Sequence, residues 1–483
     1  MSTAVEGYPR RWAVLAIILI AECMDLLDGT IVNVAMPSIR NDLGGSDSSI
    51  QWIAGGYALA FAALLITGAR LGDIYGRRRL FLLGALGFTI SSAACALAPT
   101  VGTLIAFRLI QGLASALMVP QGLAIIRSMF PKDELGKAFA IFGPVIGGAA
   151  VLGPILGGLL IAADLFGTGW RLVFLINVPL GITAVVAALL VMPESSAAER
   201  TSIDVVGAIL SSGAMVLVVY PLIEGQDKGW PAWTFAMMAA AAVLAVIFFL
   251  HVKRRERAQL SPLVTTSLFA KRAYSAGLIV GLALFGTLGG LLLVISLYLQ
   301  FGLGFTAVHA GLTMVPLSIG VVIGSGLSGA LLGPRFGRLV LHVGTAVMIA
   351  GMLLLAAATD HFAAGASSWD LTVPLLLFGL GLGLTIAPFF DIVLASVDDP
   401  EVGSASGVLN ADQQLATAFG IAVIGAIFFD VLNGQTITDP LSRGAAFATS
   451  ISHTLLLGSL GAVAMFGLIF LLPQKARPDA VEA

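Results

Sequence analysis

The sequence predicts an all-helical protein that crosses a lipid bilayer many times, on three observations. Of its 483 residues, 58% are hydrophobic and 11% charged, with a mean hydropathy of +1.00, whereas a soluble domain is about 45–50% apolar. Its apolar runs approach or exceed the roughly 20 residues that a helix needs to span the hydrocarbon. The basic residues crowd into alternate gaps between those runs, as expected when they stay on the cytoplasmic side.

Taken in order, the apolar runs begin near Trp12, Ile50, Leu80, Gly102, Lys137, Leu172, Asp204, Trp233, Ala273, Ala307, Leu339, Leu371, Gly403 and Thr449. Residues 273–334 hold no Asp, Glu, Lys or Arg, and the turn from Phe301 to Phe305 divides them into two runs. Fourteen crossings put both termini on one side. With the N-terminus inside, the inner segments carry Arg10, Arg11, the Arg70–Arg79 group, the Lys253–Arg257 cluster, Lys271, Arg272, Arg335 and Arg338. The outer loops carry only Arg40, Arg171, Lys228 and Arg443. Both termini are therefore expected in the cytoplasm. Arg10 and Arg11 before an apolar run resemble a signal peptide, but the run carries acids and lacks a small-residue cleavage site, so it reads as an uncleaved first helix.

A faint repeat organises the chain. The turn Gly72-Asp-Ile-Tyr-Gly-Arg77 after run 2 is echoed by Gly333-Pro-Arg-Phe-Gly-Arg338 after run 10. Residues 1–192 and 273–483 thus read as two six-helix bundles. Residues 193–272 hold an inserted pair of helices and a cytoplasmic connector. Parallel repeats with a site between them near the bilayer midplane are a transporter architecture.

The first run, Trp12 to Met36, contains Glu22, Asp25 and Asp28. A carboxylate at the centre of a spanning helix costs a few kcal/mol, so it faces protein or a water-filled cavity. At about 100° per residue the three acids share one stripe roughly 120° wide. The alternative is a later helix start, with the acids at the membrane surface. Asp25 and Asp28, one turn apart, are expected to interact and titrate as a pair. Arg108, some seven residues into run 4, needs a carboxylate or carbonyl partner unless it snorkels to the interface. The span-1 acids are its natural partners.

Five motifs stand out in order: Leu27-Asp-Gly-Thr-Ile-Val-Asn-Val-Ala-Met-Pro37, the loop Ala69-Arg-Leu-Gly-Asp-Ile-Tyr-Gly-Arg-Arg78, Arg108-Leu-Ile-Gln-Gly112, Gly153-Pro-Ile-Leu-Gly-Gly158 and Trp170 to Pro179. Together they resemble the fourteen-span drug:proton antiporters of the major facilitator superfamily. Ala69, Ala140 and Ala149 stand where that family has glycine.

The resemblance implies proton coupling through Asp28 first, then Asp25 and Glu22, with Arg108 beside them. It implies a substrate cavity lined by Asn33, Gln51, Trp52, Tyr57, Gln111, Asn410 and Gln414. Gating is implied at Arg70, Asp73, Gly76, Arg77 and Arg78, with Asp73 and Arg77 latching the cytoplasmic side, and at a hinge made by Gly153, Pro154, Gly157 and Gly158. Asp412 is an embedded C-half acid, either in the site or near its cytoplasmic opening; His309 reads as a helix-end residue.

The expected function is proton-coupled export of small amphipathic or hydrophobic compounds across the cell membrane by alternating access, of the multidrug-efflux type. An uptake symporter or uniporter of the same fold is the alternative, and a polytopic membrane enzyme the remote one, since the five histidines are scattered. No metal site, nucleic acid partner or cofactor is expected: Cys23 and Cys95 lie in apolar runs, the net charge is −2 with no basic stripe, and no G-x-x-x-x-G-K-[ST] loop is present. The expected partners are the substrate, protons and the bilayer.

Overall fold

The computed structural model describes residues 8–131, 134, 138, 152–194, 204–258, 260, 263–395, 397 and 402–474. Its principal helices are α1 (Arg11–Leu43), α2 (Asp47–Tyr75), α3 (Arg77–Ala96), α4 (Val101–Met129), α5 (Leu152–Ala163), α6 (Gly169–Val191), α7 (Val205–Asp227), α8 (Ala232–Arg257), α9 (Arg272–Gly302), α10 (Ala307–Leu327), α11 (Arg338–Phe362), α12 (Ser368–Ala395), α13 (Val402–Asn433) and α14 (Pro440–Leu468). Among the described residues, twelve of these are long and apolar enough to cross a membrane. The other two are α1, with its embedded acids, and α5, whose described part is shorter. The expected start of the fifth run near Lys137, with Ala140 and Ala149, lies outside the described residues.

Most helices begin within a few residues of their apolar runs, and several carry a polar cap just before the first turn. Ser46 with Ser49 and Thr100 with Thr103 close reciprocal capping boxes on α2 and α4, satisfying amides that have no intrahelical acceptor. The exception is α14. It starts at Pro440, well before the expected Thr449, because Asp439 and Ser442 form a capping box and Pro440 sits in the first turn. Hydropathy misses that start because the opening turn is polar.

Within the first group of helices, α4 packs on α2 and α3, and α6 packs on α1 and α3. Within the second, α12 packs on α10 and α11, while α9 packs on α13 and α14. The main bridges between groups are α2 on α13 and α1 on α9. Helix α7 pairs with α8 and lies against both α2 and α13, whereas α8 leaves Phe235, Val246 and Leu250 exposed, as a lipid-facing helix does. Asp204 caps α7 through Gly207 N–H and binds His251 and Arg255 of α8, tying the α7–α8 hairpin to its own entry.

Both echoed turns end on a glycine in the left-handed region, Gly76 at φ 104° and Gly337 at φ 50°, where a side chain is strained. At the far end of α1, Asp42 accepts from Arg171 (2.6 Å) and Trp170 (2.9 Å). Those donors hold its carboxyl below the usual carboxylate range.

Candidate functional site

Glu22, Asp25 and Asp28 are all buried on one face of α1. Helix α4 runs antiparallel to it, so successive turns of α4 meet successive acids: Arg108 and Gln111 opposite Asp28, Ser115 opposite Asp25, and Gly122 beside Glu22.

At the first level Arg108 forms an ion pair with Asp28, the two side chains being 1% and 0% exposed. Gln111 Nε2 and Asn177 Nδ2 each donate to Asp28 Oδ1 at 2.9 Å. Arg108 also donates to Gln111 Oε1 (2.9 Å) and through Nε to the Ile53 carbonyl (3.0 Å). Its guanidinium lies 4.3 Å from the Tyr57 ring centroid, a favourable cation–π distance. Buried charge is thereby matched by charge, and most of the free donors by acceptors.

At the second level Asp25 Oδ1 accepts from both Tyr57 OH and Ser115 Oγ, whose oxygens are 2.9 Å apart. Tyr57 joins the levels, with its hydroxyl on Asp25 and its ring under Arg108. Glu22, at the third level, has no hydrogen-bond partner among the described residues. The expected close pairing of Asp25 with Asp28 takes a different form: each carboxylate has its own donors. Residues three apart diverge by about 60° and rise by about 4.5 Å, which brings each acid to a different turn of α4.

The residues expected to line one cavity are dispersed. Asn33 lines a small cavity of about 40 Å³ with Thr30, Pro154, Leu292, Met314 and Ser318, and its Oδ1 is buried without a partner. Tyr57 and Gln111 belong to the acid cluster instead. Trp52 departs from the expectation: its indole N–H donates to Glu224 (2.9 Å) and its ring packs near Tyr220, so it faces α7. Gln51 is fully buried between α2 and α13 beside Gly425, with neither amide atom bonded. Asn410 and Gln414 are half-buried on α13. On that helix Asp412 Oδ2 is buried without a partner, near Gly281 and Phe389, and His309 stands near the start of α10, stacked on Phe305.

Across the α2–α3 junction, Asp73 in the last turn of α2 pairs with Arg77 at the start of α3 at 2.9 Å, and Arg77 reaches the Ala124 carbonyl. Glu194 accepts from the Arg78 backbone (3.1 Å) and pairs with Arg79 (3.5 Å). It sits where a side chain on Gly76 would stand. Arg70 is half-buried. In α5, Gly153 and Gly157 lie against Thr30 and Ile31 of α1, while Gly158 faces the Ala307 carbonyl and the Pro154 carbonyl faces Gly311, both of α10. These four residues are therefore wedged between the two groups of helices. Ser296 Oγ and Gln300 Nε2 of α9 also donate to the carbonyls of Asn33 and Val34 (2.8 and 2.9 Å).

Ser115 and Glu194 escaped the sequence reading, and Asn177 stood in it only within the Trp170–Pro179 motif, with no role given to it. Ser115 could have been found, since 108, 111 and 115 share one helical face. Asn177 and Glu194 carry no periodic signal.

Two relatives share most of the chain. A probable actinorhodin transporter of Streptomyces coelicolor is 49% identical over 461 residues, 94% of this chain and 80% of that protein. A tetracenomycin C resistance and export protein of Streptomyces glaucescens is 36% identical over 424 residues, covering 86% and 76%. The fold matches a bacterial homologue of the human lysosomal transporter Spinster, in an inward-facing and occupied conformation, with a TM-score of 0.65 at 17% identity over 96% of this chain and 97% of that one. The family profile described as Major Facilitator Superfamily matches residues 18–222 and 200–421. The chain therefore belongs to the Major Facilitator Superfamily, as a multi-pass membrane transporter.

Proposed function

We propose that this protein exports small amphipathic or hydrophobic compounds of the antibiotic type in exchange for protons. The observation that carries the reading is the buried acid ladder of α1. A carboxylate held out of water by one guanidinium and two amides binds or releases a proton when that set is disturbed, and Asp28 is the proposed carrier. Export is supported by the relatives named for actinorhodin transport and for tetracenomycin C resistance and export. The driving force is the proton gradient, with no cofactor.

In this reading α1 and α5 join the twelve long apolar helices as spans, giving fourteen. Residues 1–192 and 273–483 rock as two bundles about the midplane, residues 193–272 are accessory, and both termini are cytoplasmic in the cell membrane. The C-terminal half of α1 is sealed against α9, and α5 against α10, while Asp73 at the end of α2 pairs with Arg77 at the start of α3. This pattern fits a state closed outside, with Asp73 and Arg77 both engaged inside the first group of helices and the latch from them to the second group released.

Purified protein in liposomes with an imposed pH gradient tests the proposal, using an aromatic antibiotic as substrate. Substrate should accumulate in inside-out vesicles acidified internally and stop when the gradient is dissipated. Accumulation only in the direction of proton flow would instead support an uptake symporter of the same fold.

A further inference from the structure

The repeat that relates the two halves is unequal in charge. In the first copy Arg77 is matched by Asp73, and Glu194 engages the neighbouring Arg78 and Arg79. In the second copy Pro334 stands in the place of Asp73. Arg338, the counterpart of Arg77, meets no carboxylate among the described residues; its Nη1 donates to the carbonyls of Phe470 (3.0 Å) and Leu472 (2.7 Å). Its Nε and Nη2 have no hydrogen bond to a described residue, so a guanidinium edge is left for another acceptor.

Arg338 also lines a cavity of about 440 Å³ between the start of α11 and the end of α14. Phe466, Phe470 and His342 wall it, with the imidazole 4.7 Å and 4.4 Å from the two rings. His342 is 8% exposed; its Nδ1 donates to the Arg338 carbonyl (3.1 Å), and its buried Nε2 has no partner. The rim residues Phe336 and Leu339 are 52% and 58% exposed, on an apolar surface of the kind that meets acyl chains. The N-terminal end of α11 adds a partial positive charge of the same sign as Arg338.

We propose that this cavity binds the phosphate-bearing headgroup of an anionic phospholipid, which supplies Arg338 with the negative charge that Asp73 supplies to Arg77. The guanidinium edge donates to phosphate oxygens, a charge-assisted contact. His342, whose Nδ1 donates to the Arg338 carbonyl, keeps Nε2 as an acceptor for a headgroup hydroxyl, and the acyl chains lie along Phe336 and Leu339.

The test uses full-length protein purified in detergent and stripped of lipid, with phosphatidylglycerol as probe, phosphatidylcholine as control and native mass spectrometry as readout. Phosphatidylglycerol should bind at least about tenfold more tightly than phosphatidylcholine, and Arg338→Gln should remove that difference. His342→Leu, which leaves the Arg338 side-chain bonds to the Phe470 and Leu472 carbonyls intact, should weaken binding severalfold and guards against misfolding of Arg338→Gln. Arg335→Gln, on the same turn but outside the cavity, should bind as the parent does. Equal binding of the two lipids, or equal loss in Arg335→Gln, overturns the site. Displacement of the lipid by excess inorganic phosphate shows a free-phosphate site and overturns the lipid assignment.

Discussion

Arg108 and Asp28 form an ion pair from which water is excluded, 80 residues apart in sequence and each almost wholly buried. A buried pair contributes little net stability, but removing one partner strands the other charge at about 3–5 kcal/mol. Arg108→Gln and Asp28→Asn should each lower the thermal midpoint in detergent, and the double variant should recover much of the loss. All three should fail to concentrate substrate. If Asp28→Asn still releases protons on substrate addition and pumps as the parent does, Asp28 is not the coupling site.

Asp25 depends on two hydroxyls that also contact each other. Tyr57→Phe and Ser115→Ala should each cost about 0.5–1.5 kcal/mol, with a coupling of at least about 0.5 kcal/mol between them because they share one acceptor. A double-mutant cycle on unfolding in detergent measures it. Strict additivity would mean that the hydroxyls act independently.

The Asp73–Arg77 pair is partly exposed and sits within one turn, so it is worth at most about 1 kcal/mol to the fold. Asp73→Asn should therefore express and melt like the parent yet slow transport strongly, by removing a latch formed in the other state. Parental turnover at matched abundance would remove the latch from the mechanism.

Gly158 packs against the Ala307 carbonyl, so an added Cβ would approach backbone atoms of α10 to 2.6 Å, a contact that cannot relax cheaply. Gly158→Val should pry α5 from α10 and raise labelling of a cysteine at Ser318 by an externally added thiol reagent. Unchanged labelling would show that this contact does not close the outer side.

Helix α8 presents Val246 to the surrounding medium at 59% exposure. Located mid-helix with no charge nearby, it should face lipid. A cysteine there should resist water-soluble maleimide and react with a membrane-soluble one; labelling by the soluble reagent that substrate blocks would place α8 on the pathway.

Hydropathy, the distribution of arginines and the three-residue spacing of Glu22, Asp25 and Asp28 are local properties, and they sufficed for the helical class, most helix positions and the acidic face of α1. Arg108's need for an acid was equally legible, because a guanidinium in an apolar run has few ways to be satisfied. Which acid it meets was not, nor that Ser115 and Tyr57 serve Asp25 while Asn177 serves Asp28. Those pairings depend on the relative depth and rotation of α1, α2, α4 and α6, set by side-chain packing between segments far apart in sequence. The same holds for Trp52, which turned to α7 because Glu224 offers its indole an acceptor there, and for Arg338, whose missing acid could be read from Pro334 but whose adjoining cavity arises only where α11 meets α14. Sequence carries the inventory and spacing of polar groups along each helix; the crossing of helices decides which of them come within hydrogen-bond reach.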